Sequence, residues 1–141
     1  MADAEAPPFP GDWDCTELSN TGPWTIGQVW IDRTQGKYCM MVGEQHCNAF
    51  GMMHGGAMAT FVDAQVVAVR PYTGAESNHT PTVTLSVDYL AGVPAGSWLL
   101  LTVEILRTTR TLIFTQGVAT VDGKAVARTS AIYRNNQDKG A

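Results

Sequence analysis

The residues best suited to chemistry lie together between Asn48 and Asp63. Within this stretch, His54 precedes the pair Gly55-Gly56, and Asp63 is the one acid of an otherwise mostly apolar or small segment. A carboxylate in such a segment costs free energy unless it is paired or used. The pattern therefore predicts an apolar helix that begins at two glycines and carries a reactive or structural acid.

The glycine pair could form an oxyanion site. A helix N-terminus presents unpaired N–H groups and the positive end of the helix dipole. Two residues without side chains, Gly55-Gly56, would let a substrate carbonyl approach these groups closely. The alternative is that the glycines only allow the helix to pack tightly on a sheet, and the pair alone does not decide between the two.

Asp63 has two interpretations of similar weight. A desolvated carboxylate would suit a general base or a group that activates water. Alternatively, Asp63 is bonded to Thr60 or to a threonine of a neighbouring strand and has a structural role. Gly55 lies eight residues earlier, so the helical rise separates the two by about 12 Å. If both act on one carbon, the acid comes from the antiparallel helix of a second subunit, which predicts a two-fold dimer with interfacial sites.

Other polar residues near the helix start also have alternative roles. Asn48 could bind a substrate carbonyl or a water, although Asn is also a common turn residue. His54 could be a catalytic acid or base, but a role in orienting the loop or polarising the carbonyl is favoured because a helix start disfavours an imidazolium.

His46 and Cys47 could bind a metal or provide a nucleophile. A small, largely buried cysteine beside a surface histidine is favoured, because no second ligand pair has a zinc-like spacing.

Composition restricts the class of protein. The 141 residues include nine Lys or Arg and thirteen Asp or Glu, which gives a net charge of −4. This length fits one domain with a full core. No broad basic surface is available for nucleic acid, and no apolar run could span a bilayer. The acidic, Pro-rich start lacks the features of a signal peptide, so we expect a cytoplasmic protein without nucleic-acid or membrane partners.

The chain divides into three parts. Residues 1–22 are predicted to be a loosely ordered or docking segment with Phe9 and Trp13 as possible anchors. Residues 23–136 form the folded domain, and residues 137–141 form a C-terminal tail.

The folded domain begins with two strands, 24–31 and 36–42, and a loop over 43–53. A helix is then predicted from 54 or 55 to 69 or 70, ended by Pro71. Because apolar residues point in nearly every direction, this helix should be buried on all sides.

The second half of the domain reads as strands. Residues 82–90 alternate, with Val83, Leu85, Val87 and Tyr89 predicted on one face and Thr82 on the other. A long strand follows over 98–106. Strands 111–121 and 124–133 flank Asp122-Gly123, which predicts a hairpin, and Gly117 suggests a bend or bulge. The simplest packing is an α+β fold with a curved antiparallel sheet around the helix.

The combined motifs resemble a known family. Asn48, the run Gly51-Met-Met-His-Gly-Gly56, Asp63 and the run Ser86-Val-Asp-Tyr-Leu90 are similar to the hotdog-fold acyl-CoA thioesterases. The resemblance covers about residues 36 to 135 and is to the PaaI-like (phenylacetic acid degradation) branch of the 4-hydroxybenzoyl-CoA thioesterase superfamily. It implies a curved sheet around a long central helix, a CoA thioester substrate, and a homodimer that pairs into a homotetramer. No metal or bound cofactor is implied, since CoA is part of the substrate.

The resemblance also implies roles for single residues. Gly55 would provide the oxyanion N–H, and Asp63 of the partner subunit would be the nucleophile or general base. Asn48 would lie near the thioester or the water, which Thr82 would help to hold. His54 remains a candidate as above.

Basic residues after the long strand are implied to meet the CoA phosphates. Arg110 matches the basic residue of the family, with Arg107 as a second candidate. The chain departs from the family pattern in two places: Thr109 replaces a Gly, and Ala91-Gly92 replaces a common Arg-Pro pair.

The substrate pocket has fewer clues. Gly56 would lie against the substrate, and five apolar residues could line an acyl pocket or belong to the core: Phe50, Met52, Met53, Met58 and Phe61. The sequence therefore predicts thioester hydrolysis. A non-catalytic acyl-CoA or acyl-carrier binding protein is the first alternative, and a hotdog hydratase is a more distant one.

Overall fold

The computed structural model of the protein describes residues 5–18, 26–69 and 80–135. The predicted strand start at 24–25, the helix end at Arg70 and Pro71, and the tail over 137–141 lie outside these residues. Within the described ranges, no helix is both long and apolar enough to cross a membrane.

One antiparallel sheet dominates the structure. Within the described ranges the sheet has seven strands, ordered β1-β2-β3-β5-β6-β7-β4. The bounds are β1 Asp14–Leu18, β2 Gly27–Asp32, β3 Lys37–Met41, β4 Thr82–Tyr89, β5 Trp98–Thr108, β6 Leu112–Val121 and β7 Lys124–Arg134. All neighbouring strands are antiparallel, so the predicted antiparallel sheet is confirmed.

The α-helix of the described residues packs on one face of this sheet. Helix α1 spans Gly55–Asp63, and its buried residues join the main core with inward-facing residues of five strands, namely β2, β3, β5, β6 and β7. Tyr38 of β3 stacks on Phe61 of α1, with ring centroids 4.5 Å apart. These contacts fix the helix across the sheet and therefore fix the direction of its uncovered face.

The prediction of a long helix buried on all sides is wrong in two respects. The α-helix has nine residues and ends at Asp63, after which Gln65–Ala68 form a 3-10 turn. It is also not buried on all sides, because Gly56 is exposed and Thr60 and Asp63 are half-buried. These three residues share one helix face, which the described chain leaves open. The apolar sequence pattern could not show that no described element of the same chain packs on this face.

The N-terminal segment is more ordered than the sequence suggested. Residues 14–18 form the edge strand β1 on β2. Phe9 lies against Trp98 and Trp13 at ring-centroid distances of 6.4 and 6.5 Å. Trp30, in turn, contacts Trp98. The two predicted anchors therefore belong to an aromatic cluster on the sheet face opposite α1.

Two glycine predictions have different outcomes. Asp122 and Gly123 both have positive φ, 50° and 78°, as a two-residue hairpin turn requires, so that prediction is confirmed. Gly117 does not form a bulge, because it pairs in regular register with Val103. A Cβ at Gly117 would lie 3.0 Å from the Leu101 side chain and from the Thr102 carbonyl oxygen, so glycine is needed there for close strand packing.

Candidate active site

The start of α1 opens onto solvent. His54 occupies the N-cap position, and its carbonyl accepts the first helical bond from Met58 N–H at 3.0 Å. The preceding N–H groups of the first turn have no helical acceptor. A hollow of about 400 Å³ lies beside them, lined by His54, Gly56, Ala57 and Thr60. The positive end of the helix therefore faces a space that a ligand or a partner could fill.

Packing within the chain does not explain the glycine pair. A Cβ added at Gly56 would have no atom within 4 Å, and one at Gly55 would only touch the ring of Tyr89 at 3.4 Å. Neither glycine has a positive φ. The alternative of tight helix-on-sheet packing is therefore wrong for Gly56 in the single chain.

Tyr89 fixes the backbone at the helix start and was not identified from the sequence. Its hydroxyl donates to the Gly55 carbonyl oxygen at 2.7 Å. This carbonyl belongs to the same peptide group as the N–H of Gly56, so the bond orients and polarises that N–H. The available signal was a phenol on the apolar face of an alternating strand, since such a hydroxyl needs a partner. The partner itself is non-local.

Asn48 organises the loop before the helix. Its side-chain oxygen accepts from Phe50 N–H at 2.9 Å and from Met52 N–H at 3.2 Å, and its own N–H donates to the Met52 carbonyl. These contacts match the turn-residue interpretation. The exposed side-chain amide nitrogen makes no hydrogen bond with a described residue and remains able to donate to a ligand.

Asp63 lies at the other end of α1, half-buried rather than enclosed. Its carboxylate oxygen accepts from the Thr82 hydroxyl at 2.8 Å. Thr60 does not hold the acid, because its hydroxyl donates to the Gly56 carbonyl. The expectation of a fully buried acid is wrong for the single chain. The contact with a threonine of a neighbouring strand has the geometry of the structural alternative, yet it occupies only one of the two carboxylate oxygens.

A β-bulge brings Thr82 to this position. Thr82 lies opposite Tyr133 and Thr84 lies opposite Ile132, so Val83 is an extra residue in β4. Strict alternation placed Thr82 on the face away from Leu85, and that prediction is wrong because the extra residue returns Thr82 to the helix side. The bulge thus aims the hydroxyl at Asp63.

Tyr133, which lies at this end of the helix, was also not identified from the sequence. It is buried, and its hydroxyl donates to the backbone carbonyl of Asp63. The two ends of the helix therefore carry different groups: N–H donors with Tyr89 at the start, and a carboxylate with Thr82 and Tyr133 at the end. Across nine helical residues these groups are about 12 Å apart, so one chain carries two separate candidate half-sites.

The residues proposed to bind substrate lie in different environments. Phe50 is 87% exposed and Met52 is 40% exposed, and both lie on the loop before α1. Met53, however, is 9% exposed and packs in the main core with Met58 and Phe61, so the core interpretation applies to these three in the single chain.

Arg107 and Arg110 are exposed near the β5–β6 turn, and neither forms an ion pair with a described residue. Thr109 Oγ1 accepts from Leu112 N–H at 2.9 Å, and Asn135 donates to the Thr109 carbonyl at 3.0 Å. The turn that carries Arg110 is therefore held in place while its guanidinium remains available.

The prediction of a surface His46 is wrong. His46 is 2% exposed; its Nδ1 accepts from Gly43 N–H at 2.9 Å, and its Nε2 lies 2.7 Å from the Ile26 carbonyl. Its own carbonyl accepts from His54 N–H. His46 thus supports the loop that leads into α1. No group of three His, Cys, Asp or Glu residues suited to a metal occurs within 5–18, 26–69 and 80–135.

Comparison with known proteins gives one family. The family model described as Thioesterase superfamily matches residues 50–127, just over half of the chain. The matched range contains Gly55, Asp63 and Thr82, but not Asn48.

Individual relatives extend this similarity. Human acyl-coenzyme A thioesterase 13 is 31% identical over 93 residues, which cover 63% of this chain and 64% of that protein. A Caenorhabditis elegans relative is 36% identical over 76 residues, or 54% of this chain and 44% of that protein. The chain therefore spans 44% to 64% of the length of these curated relatives.

Solved structures share the fold. Mouse thioesterase superfamily member 2 is 26% identical with a TM-score of 0.58, and the match covers 70% of this chain and 73% of that chain. A phenylacetic acid degradation-related protein of Ralstonia eutropha is 26% identical with a TM-score of 0.59, covering 74% and 80%. The sheet and helix described above are thus those of the hotdog thioesterases.

Proposed function

Because the chain belongs to the thioesterase superfamily, we propose that it hydrolyses acyl-CoA thioesters to a free acid and CoA. The observation that carries this proposal is the helix start: Gly56 faces open space, and neither a contact with the described residues of its own chain nor a positive φ requires a glycine there. The similarity to a human protein named as an acyl-coenzyme A thioesterase supports the substrate class.

The proposed reaction uses both ends of α1. The thioester oxygen accepts a hydrogen bond from Gly55 N–H, where the helix dipole favours the negative charge of the tetrahedral intermediate. Water attacks the carbonyl carbon while Asp63 takes its proton. The C–S bond then breaks, and the proton passes to the CoA thiolate. In the second possible route the carboxylate of Asp63 attacks directly, and water hydrolyses the resulting anhydride.

The two routes differ in the fate of oxygen. In a single turnover in ¹⁸O-labelled water, the general-base route places the label only in the released acid. In the other route Asp63 attacks directly, and water then attacks the Asp63 carboxyl carbon of the anhydride. The released acid keeps an unlabelled oxygen from Asp63, and the label stays on the enzyme. Label in the peptide that contains Asp63, detected by mass spectrometry, would demonstrate the route of direct attack.

We also propose that each site combines two subunits. The half-sites within a chain are too far apart to meet on one carbon, and the helix face with Gly56, Thr60 and Asp63 has no cover among the described residues. Edge strand β4 pairs only with β7 among the described strands, and it presents exposed Val83 and Tyr89. An antiparallel partner helix would bring the partner's acid to the Gly55 end. Pairing of such dimers into a tetramer is part of the same proposal.

The substrate-binding roles follow from exposure. Asn48 would offer its amide to the thioester or the water, and His54 would line the entrance to the oxyanion site. Phe50 with Met52 gives an exposed apolar wall for the acyl group. Arg107 and Arg110 would meet the CoA phosphates, because their guanidinium groups form no ion pair with a described residue.

The first experiment compares CoA release by the wild type and Asp63→Asn over aryl and straight-chain acyl-CoAs. We expect kcat to fall by about 10²- to 10⁴-fold, as for loss of a general base. Asp88→Asn is the matched control, since Asp88 is an exposed acid of β4 paired with Arg128 at 2.8 Å. If the folded wild type binds acyl-CoA but releases no CoA, the hydrolase proposal is wrong and a non-catalytic acyl-CoA binding protein remains.

A further inference from the structure

The α-helix ends at Asp63 although the sequence would allow it to continue. The next six residues, 64–69, are Ala, Gln, Val, Val, Ala and Val, with no Gly or Pro, so no residue type breaks the helix here. Such an interruption needs a cause, such as a side chain inserted into the hydrogen-bond ladder. The structure contains that side chain at the end of α1.

The Tyr133 hydroxyl takes the place of a backbone donor of the next turn. In a continuing helix the Asp63 carbonyl would accept from Val67 N–H, and Val66 N–H would donate to the Val62 carbonyl. Instead, the Tyr133 hydroxyl donates to the Asp63 carbonyl. Val67 N–H turns to the Ala64 carbonyl at 3.0 Å, which produces the 3-10 turn.

A buried polar cluster completes the helix end. The Val62 carbonyl accepts from the Gln65 side-chain nitrogen at 2.9 Å. The Gln65 side-chain oxygen accepts from the Thr115 hydroxyl at 2.8 Å, and the side-chain nitrogen also donates to the Thr129 hydroxyl at 3.1 Å. Gln65 is fully buried, so this satisfied cluster holds the interrupted turn in one arrangement.

The strands that interrupt the helix also hold the acid. Tyr133 of β7 lies directly opposite Thr82 of β4 in the sheet register. Tyr133 binds the backbone carbonyl of Asp63, and Thr82 binds its carboxylate. One cross-strand pair therefore fixes both the main chain and the side chain of the same residue.

We propose that Tyr133 is a positioning residue for Asp63: by ending the α-helix there, its hydroxyl sets the direction of the carboxylate. This inference rests on the proposed hydrolase function. Because Tyr133 acts through Asp63 rather than on the substrate, its loss should lower kcat and leave KM nearly unchanged.

Tyr133→Phe tests the proposal, with Tyr38→Phe as the matched control. Tyr38 is an equally buried tyrosine of the same sheet face, and its hydroxyl has no hydrogen-bond partner among the described residues. We expect Tyr133→Phe to lower kcat by about tenfold or more, as for a misplaced catalytic group, with KM within about twofold. Tyr38→Phe should leave both unchanged. Equal kcat losses in the two variants, or none in either, would overturn the proposal.

A double-mutant cycle separates positioning from general destabilisation. In the Asp63→Asn background, Tyr133→Phe should cause no further loss of kcat, because the group that it positions is already absent. A further loss as large as in the wild type would contradict the inference. If Tyr133→Phe does not fold, 4-fluorophenylalanine at position 133 fills the space of the hydroxyl without donating, and the same kcat loss is expected.

A crystal structure of Tyr133→Phe tests the positioning role independently of the proposed hydrolase function. We expect α1 to extend past Asp63, with Val67 N–H on the Asp63 carbonyl, and the contact between the carboxylate and Thr82 to be lost. A wild type without thioesterase activity refutes the proposed function, whatever this structure shows. An active wild type whose variant keeps the interrupted helix refutes the positioning role alone.

Discussion

At Gly56, helix stability would favour alanine, whereas the proposed function requires glycine. It lies in the first turn of α1, where alanine is intrinsically more favourable than glycine, and a Cβ there would have no atom within 4 Å. A residue that lowers helix stability and has no packing reason within its own chain indicates a surface kept free for a ligand or a partner subunit.

Gly56→Ala should therefore stabilise the folded protomer and lower its catalytic activity. We expect the free energy of unfolding of the protomer to rise by about 0.5–1 kcal/mol, because alanine loses less backbone entropy in a helix. The added methyl group would occupy the approach to the first-turn N–H groups, so kcat/KM should fall by about tenfold or more. Thermal unfolding and steady-state kinetics measure the two effects.

Ala59→Gly is the control for Gly56→Ala, because it makes the reverse change within the same helix. It should lower the free energy of unfolding by about 0.5–1 kcal/mol and leave kcat/KM of the folded protein unchanged. If Gly56→Ala also leaves kcat/KM unchanged, no substrate approaches this surface and the oxyanion role of the helix start is wrong.

Residue types predicted the two ends of the candidate site, but not the residues that hold them in place. The glycine pair and Asp63 stand out because they are unusual in an apolar helix. Thr82 could be assigned only through the family resemblance, since strict alternation placed it on the wrong face and the bulge at Val83 has no clear sequence signal. Tyr89 and Tyr133 act through contacts 34 and 70 residues away in sequence, and no local pattern encodes such pairs.

At the scale of elements, Asp32 joins the N-terminal segment to the β2–β3 turn. Its carboxylate accepts from Asp12 N–H at 2.9 Å, from Thr34 N–H at 2.9 Å and from the Gln35 side chain at 2.6 Å. Burial acts to raise the pKa of Asp32, but the hydrogen bonds from Thr34, Asp12 and Gln35 together outweigh it and hold the pKa well below its usual range.

This lowered pKa predicts the direction of the pH dependence. A carboxylate with a lower pKa in the folded state contributes its full stability above the unfolded pKa of about 3.9. The contribution is lost as the pH falls from about 5 toward the folded pKa. Asp32→Asn should cost about 1–3 kcal/mol near neutral pH, because its amide would face the Asp12 N–H and the Gln35 donor. It should also remove this part of the acid dependence. Denaturant unfolding at several pH values measures both effects.

Cys39 reports whether the N-terminal segment is released. It lies opposite Trp30 in the register of β2 and β3 and is fully buried, and burial raises the pKa of its thiol to about 12. Cys39 should therefore resist alkylation in the wild type and react faster in Asp32→Asn. Asp14→Asn is the control, since the ion pair of Asp14 with Arg33 is long, at 3.8 Å, and the acid is exposed. Equal Cys39 reactivity in both variants would show that Asp32 does not hold the segment.

Element prediction succeeded where local signals were strong. The Asp122-Gly123 turn and the strands around it follow directly from turn chemistry and alternation. The length of α1 did not, because Tyr133 interrupts a segment whose own residues contain no helix breaker. Strand β1 was missed since its sequence, Asp-Cys-Thr-Glu-Leu, is polar and takes its place from the partner strand β2.

At the scale of the whole molecule, the uncovered helix face and the separated half-sites lead to the same expectation. A single chain places the N–H donors and the carboxylate about 12 Å apart, and rotation of a second copy about a two-fold axis would bring unlike ends together. Each complete site then needs Gly55-Gly56 from one subunit and Asp63 from the other. This requirement distinguishes a shared site from two independent ones.

Subunit mixing tests the shared site. Asp63→Asn and Gly56→Leu each damage a different half, so each homodimer should be inactive. After the two are unfolded together and refolded at equal concentration, half of the dimers should be mixed, and each mixed dimer has one intact site. Activity should return to about a quarter of the wild-type value per chain. Each variant refolded alone is the control. If both groups act within one chain, every chain in the mixture carries a defect, and no activity returns.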